Sequence, residues 1–404
     1  MLKRRLLITS FIAIVITLVI GSGFLYAESI FNWYPRLGNV TTDGIEVVFK
    51  TVEEVDTYVR YASKDEYDAK KGWSGKSETF HGTLFRISLK GLKPNTQYVY
   101  QVMVNGQPAT KVYSFFTAPE KPIEFTFLAY GDTRTHQDKH KLLADKMARD
   151  ETNPRFVIHV GDLVTNGKEN DEWLDFSKAI KELGASMPYY SAIGNHEYNS
   201  DNYYNSLALP RTGGGQNNSE WYSFDYAGVH FIVLDSNIMD KYVNENVPNA
   251  VEKQAEWIIK DLEAHKDAKW IIAVFHHPVF SSHQDSRYPQ LQKEWIPIFD
   301  KYGVDLVLSG HNHIYERVLS GGRNYIVTGC GGAPFDYIWE YEPRLKDSVC
   351  IEDAVLQYTR VRVTEEKLYV EVVQTHEEAD DYVTLNENFK IIDKCEIENI
   401  LPEE

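Results

Sequence analysis

Phe125-Thr126-Phe127-Leu128-Ala129-Tyr130-Gly131-Asp132-Thr133-Arg134 is an apolar run that breaks at a glycine and ends on a carboxylate and a guanidinium. Its first six residues are aromatic, aliphatic or β-branched and read as a buried strand. Asp132 then stands just past the strand's carboxyl end. The arrangement recurs four times downstream. Phe156–Val160 runs into Gly161-Asp162-Leu163, and Ser191-Ala192-Ile193 into Gly194-Asn195-His196-Glu197. Ile271–Phe275 runs into His276-His277-Pro278, and Val304–Leu308 leads to Gly310-His311-Asn312-His313. Helical spacing fills the intervals: His140–Asp150 puts Leu142, Leu143 and Met147 on one face, and segments near 171–183, 251–265 and 288–301 behave alike. Strands alternating with helices predict a layered α/β fold. In such sheets ligands bind beyond the carboxyl ends of strands, so these residues converge on one rim. A glycine before the polar residue allows unusual backbone angles and close approach.

Upstream the texture is different. Residues 29–118 hold β-branched and aromatic runs separated by turn residues, including Ile45–Phe49, Thr57–Tyr61, Leu84–Leu89 and Tyr98–Val102. This predicts a small all-β sandwich. Gly91–Tyr98 and Ser114–Pro119 resemble the late turn and final strand of fibronectin type III-like domains. Glu120-Lys121-Pro122 reads as a short linker, and 123–400 is expected to be the domain that carries the chemistry of the strand-end residues. The segment from Tyr358 to about Ile397 returns to strands that extend a sheet. At the start, Lys3, Arg4 and Arg5 precede an apolar run, residues 6–26. Residues 1–27 read either as a secretory signal cut after Ala27 or as an uncleaved membrane anchor. Both place the remainder outside the cytoplasm, extracellular or on the cell surface.

The chain has 404 residues and a net charge of −17. That acidic balance argues against a nucleic-acid-binding surface and leaves an anionic substrate to be held by local positive charge. Cys330, Cys350 and Cys395 match no zinc pattern. Asn39-Val40-Thr41 and Asn217-Asn218-Ser219 fit glycosylation sequons.

Carboxylate, imidazole and amide oxygen suit zinc, manganese and iron. A carboxylate bridging two ions gives a site that orients a phosphate and acidifies a bound water. The five stretches together resemble those of the calcineurin-like metallophosphoesterases, and the preceding β domain makes the arrangement similar to the purple acid phosphatases. The resemblance implies a four-layer sandwich of two mixed sheets flanked by helices. It implies two metal ions per subunit: Asp132, Asp162 and His313 at the first, Asn195, His276 and His311 at the second, with Asp162 bridging. His196 would protonate the leaving oxygen of a phosphate-ester substrate.

Two positions depart from the family. Thr165 stands where purple acid phosphatases keep an iron-ligating tyrosine, and Arg134 where other relatives keep a histidine. The first metal then lacks a usual ligand. The planar fork of Arg134 suits a phosphate oxygen instead. His277 is expected to pack behind the ligands, and Tyr315-Glu316-Arg317 either supports its loop or meets substrate. The glycine-rich stretch Gly329–Pro334 lacks the residues of a P-loop. His136, His140 and His283 are expected to be solvated or local, and Tyr203, Tyr204 and Trp221 to line a pocket or pack. The leading function is an exported phosphomonoesterase of acid phosphatase type. The competing readings are a phosphodiesterase of the same fold and a non-catalytic binding protein.

Overall fold

The computed structural model describes residues 30–150, 153–239, 250–283, 288–337, 343–379 and 382–401. The apolar N-terminal run lies outside them. Among the described residues no helix is long and apolar enough to cross a membrane.

The N-terminal unit is a β-sandwich of β1 (Phe31–Gly38), β2 (Gly44–Ser63), β3 (Gly75–Lys76), β4 (Phe80–Lys90), β5 (Gln97–Val104), β6 (Gln107–Pro108) and β7 (Tyr113–Phe116). The sequence suggests separate strands at 45–49 and 57–61, whereas the structure joins them in the twenty-residue β2. The pairing explains why. Gly44–Lys50 pairs with β4 and with β1, the register slips between Lys50 and Val55, and Thr57–Ser63 pairs with β5. One strand thus serves both layers by bending at a bulge, which leaves Val52 exposed at the bend.

Two mixed sheets follow. The first contains β8 (Phe125–Tyr130), β9 (Val157–His159), β10 (Tyr189–Ser191), β18 (Val355–Val363), β19 (Lys367–Ala379) and β20 (Tyr382–Glu398), in the order β10-β9-β8-β18-β19-β20. The second contains β11 (Tyr222–Tyr226), β12 (Val229–Val233), β13 (Trp270–Val274), β14 (Leu306–Ser309), β15 (Tyr315–Ser320), β16 (Arg323–Thr328) and β17 (Ser348–Glu352), in the order β11-β12-β13-β14-β16-β15-β17. In the first sheet β8, β9 and β10 run parallel; in the second β12, β13, β14 and β16 do. Those strands are buried along nearly their whole length, as parallel strands covered on both faces must be. Flanking helices include Gln137–Asp150, Asn170–Ala179, Lys181–Ser186, Ala250–Ala264 and Pro289–Tyr302. The last buries Leu291, Trp295, Phe299 and Tyr302 at helical spacing and stops at Gly303, φ +69°.

The sandwich is welded to the two-sheet layers that follow it. A single apolar cluster runs from Phe31, Phe49 and Tyr100 through Phe127, Phe156, Trp173 and Leu183. The Arg86 guanidinium donates to the carbonyls of Tyr204 (2.9 Å) and Leu207 (2.7 Å), and the Tyr100 hydroxyl donates to that of Ala185 at 2.7 Å. Tyr203, Tyr204 and Trp221 are buried, so they pack and do not line an open pocket.

Candidate metal centre

The strand ends meet on one rim because β8, β9, β13 and β14 point the same way within their sheets. Asp132 and Asp162 follow β8 and β9, His276 follows β13, and His311 and His313 follow β14. The chain must turn sharply at each point. The turns fall mostly on the polar residue and not on its glycine: Asp132 has φ +56°, Asp162 +58° and His311 +68°. Left-handed backbone at three non-glycine residues of one site costs conformational energy that the surrounding hydrogen bonds hold in place. Gly161 is also left-handed, at φ +102°. Gly194 and Gly310 serve by close approach: a Cβ at either would collide with Asp162 or Asp132 respectively.

One side of the rim is tightly drawn. Asn195 Oδ1 lies 3.1 Å from His276 Nε2 and 3.2 Å from His311 Nδ1. The two imidazole nitrogens are 3.3 Å apart, and His276 Nε2 is 3.3 Å from Asp162 Oδ1. An ion about 2.0–2.1 Å from each of four tetrahedral donors requires donors roughly 3.3–3.4 Å apart. Outer hydrogen bonds fix which nitrogen faces inward. His276 Nδ1–H donates to the Val160 carbonyl at 2.9 Å, and His311 Nε2 pairs with the Tyr288 hydroxyl at 3.0 Å. Such partners set the tautomer of a ligating histidine. Burial pushes His311 down to about 3, so its ring is neutral, the form a metal takes. Burial opposes the charge on His276 too, but Asp162 outweighs it and lifts that ring to about 9. Among the described residues, the groups at this rim able to hold a metal are His276 with His277 and His311, and Asp132 with Asp162 and His276.

The other side is looser. His313 donates through Nδ1 to the Pro334 carbonyl and turns Nε2 inward, 3.8 Å from Asp132 Oδ1. The Asp132 carboxylate accepts the His311 backbone N–H at 3.0 Å. Arg134 stands between: its Nε is 3.4 Å from Asp162 Oδ2 and its Nη2 3.4 Å from His313 Nε2. His196 donates from Nδ1 to the Thr165 carbonyl at 2.7 Å, leaving Nε2 3.9 Å from Asp162 Oδ2. Arg134 and His196 are partly exposed, whereas both aspartates are buried. The residues singled out by sequence as ligands, acid and phosphate contact are therefore assembled in one place.

Two further positions take on a character the sequence did not convey. Glu197 is buried, and its carboxylate accepts the N–H groups of Asp162 (2.9 Å), Leu163 (2.8 Å) and Gly194 (2.7 Å). It ties two of the strand-end loops together. Burial and the Asp162 charge push its carboxyl up to about 7, against the pull of those N–H donors. Its place in the Gly-Asn-His-Glu stretch was the only available signal. His140, expected to be solvated or local, is fully buried beneath the site, with Nε2 2.9 Å from the Tyr130 hydroxyl. His277, expected to pack behind the ligands, is buried with Nδ1 2.8 Å from the Ser236 hydroxyl, but its Nε2 has no hydrogen-bond partner and it joins His276 and His311 in a group able to hold a metal. Glu316 accepts from Ser281, Ser282 and Ser348, and Arg317 pairs with Asp393 at 2.6 Å, so this stretch braces neighbouring loops.

Residues 125–315 match the calcineurin-like phosphoesterase family, and residues 31–117 match the purple acid phosphatase N-terminal domain. The chain therefore combines a calcineurin-like phosphoesterase domain with a purple acid phosphatase N-terminal domain, a make-up whose implied two-metal centre fits the carboxylate, imidazole and amide donors at the rim. The chain resembles the purple acid phosphatases. Acid phosphatase type 7 of Mus musculus is 30% identical over 276 residues, which cover 62% of this chain and 60% of the mouse protein. The Danio rerio protein of the same name is 25% identical over 86% of this chain and 90% of its own length. Purple acid phosphatase 23 of Arabidopsis thaliana is 27% identical, over 62% and 60% respectively. The chain therefore spans about three fifths of the mouse relative. Among solved structures, the purple acid phosphatase PPD1 from yellow lupin seeds superposes with a TM-score of 0.70 at 19% identity, covering 87% of this chain and 73% of that one. The structure of PhoD gives 0.71 at 12% identity, covering 93% of both.

Proposed function

We propose that this chain is an exported phosphomonoesterase that works with two metal ions, of iron, zinc or manganese. The observation that carries the reading is that the donor atoms of Asn195, His276 and His311 stand 3.1–3.3 Å from one another, with Asp162 Oδ1 3.3 Å from His276 Nε2. Asp132 and His313 would hold the first ion, Asn195, His276 and His311 the second. Asp162 would bridge, since its Oδ1 faces His276 and its Oδ2 faces the Arg134 side. When bound, such ions neutralise phosphate charge and lower the pKa of water towards about 7.

The chain's own groups supply the rest. The Thr165 carbonyl can only accept, so His196 carries a proton on Nδ1 and aims Nε2 across the rim. In its protonated form that nitrogen gives a proton to the departing ester oxygen. General acid catalysis of this kind is worth about 10²–10⁴-fold. Arg134 supplies two parallel N–H groups to a phosphate oxygen. The N-terminal sandwich, of fibronectin type III-like kind, holds the catalytic layers through the shared core. Hydrolysis of a chromogenic phosphomonoester, compared with a bis-aryl phosphodiester, tests the reading under added manganese, zinc or iron. Faster diester turnover would reassign the substrate class. No turnover of either ester with any metal would leave a binding protein.

A further inference from the structure

The two sides of the rim are not equivalent, and Arg134 is the reason. On the second side, donors already stand at tetrahedral separations, each imidazole anchored through its outer nitrogen. On the first side, His313 joins neither of the donor groups that the rim holds among the described residues. Its Nε2 is 3.8 Å from Asp132 Oδ1, and a cationic guanidinium reaches to 3.4 Å from it. The same guanidinium lies 3.4 Å from Asp162 Oδ2, the oxygen turned to this side. Thr165 does not stand in for the missing ligand, because it offers its carbonyl to His196.

We propose that the Arg134 guanidinium occupies the first metal position and competes with the ion for it, so that the two positions load unequally, the Asn195–His276–His311 position first. The proposal rests on the two-metal reading above. The physical basis is charge. The first position holds the carboxylates of Asp132 and Asp162, and the guanidinium already offsets part of their charge. A divalent ion entering there must move a guanidinium aside, whereas one entering the second position displaces only a proton from His276. The guanidinium is not strongly tied down. Its buried Nε has no hydrogen-bond partner, and its contacts with Asp162 and His313 are longer than the charge-assisted bonds of about 2.7–2.9 Å that Arg makes when well placed. It can therefore leave when the ion arrives, and from the rim it then faces the substrate phosphate. The first ion becomes exchangeable, and occupancy of the pair follows metal supply.

The test is Zn²⁺ titration of the full chain after chelation, by calorimetry, with metal content measured after gel filtration. Wild type should retain one ion and take up a second with clearly weaker affinity. In Arg134→Ala the weak event should tighten by about tenfold or more, the scale expected for removing a unit charge about 4 Å away at a partly screened site. Arg134→His, which offers a donor in place of a charge, should retain two ions. Arg134→Lys keeps the charge and should behave as wild type, which also controls for a general folding defect. Two equal binding events in wild type, or a weak event untouched in Arg134→Ala and Arg134→His, would overturn the proposal and leave the two-metal reading standing. A wild-type chain that binds Zn²⁺ at neither position would overturn both.

Discussion

Gly194→Ala separates what the glycine gives by contact from what it gives by conformation. Gly194 has φ −97° and ψ 174°, extended backbone that alanine adopts without strain. The added methyl is the whole perturbation. It would come within 3.0 Å of three atoms: the backbone N and Oδ1 of Asp162, and Oε2 of Glu197. Reaching ordinary contact, about 3.5 Å, forces the nearest atoms back by roughly 1 Å. Two of them belong to Asp162, one being main chain, so no swing of a flexible side-chain end relieves the clash. Overpacking of this kind costs about 1–3 kcal/mol of stability. The functional cost should be larger. The displaced carboxylate is the proposed bridge, and a misplacement of about 1 Å at a reacting centre costs about 100-fold. The assay is kcat/KM on a chromogenic phosphomonoester at saturating metal, paired with urea denaturation. Gly106→Ala is the control: φ is +76°, nothing lies within 4 Å of its Cβ, and it sits in the N-terminal sandwich. It should lose about 1 kcal/mol of stability through backbone strain, with kcat/KM unchanged. If Gly194→Ala keeps kcat/KM within about threefold of wild type, the close approach is not what positions Asp162, and the reasoning fails.

Chelation should abolish turnover, and added Mn²⁺ or Zn²⁺ should restore it; activity surviving exhaustive chelation would contradict the metal reading. His196→Ala should lower turnover of an alkyl phosphate by about 10²–10⁴-fold but spare an aryl ester with a stable leaving group; equal losses on both would remove the proton-donor role. Arg86→Ala strips the bonds to the Tyr204 and Leu207 carbonyls and should cost about 2–3 kcal/mol in urea denaturation. A cost near zero would mean the apolar core and the Tyr100–Ala185 bond suffice to join the sandwich to the layers that follow it. His230 is raised above its ordinary 6.5: burial opposes its charge, but hydrogen bonds to Asp225 and Asp261 prevail. Because the folded state holds that proton more tightly, its stabilisation is complete below about 6.5 and is lost as pH rises through the folded value. The stability gap between wild type and His230→Gln should accordingly narrow above that point, and a gap constant from about pH 6 to 9 would show that the ring acts by packing alone.

Legibility followed the range of the forces involved. β8 and its successors could be read because a buried parallel strand needs an unbroken apolar run, and the glycine–polar step after it is local. Residue types at the strand ends carried the chemistry for the same reason. What could not be read depends on contacts between distant segments. Residue spacing does not join Thr57–Tyr61 to Ile45–Phe49; the pairing of one half of β2 with β4 and of the other with β5 does. His140 looks like a helix-surface histidine until Tyr130 is placed over it. The left-handed turns at Asp132 and Asp162 are imposed from outside, since their carboxylates are gripped by the N–H groups of His311 and His196, each from another loop. Arg134 shows the same limit in its sharpest form. Its chemistry, a planar cation suited to oxyanions, is fully present in the sequence and points to a phosphate. Its position, set between Asp162 and His313, makes the carboxylates of the metal site its first partners. The side chain's affinity was legible, whereas the order in which carboxylate, metal ion and phosphate claim it is a property of the fold.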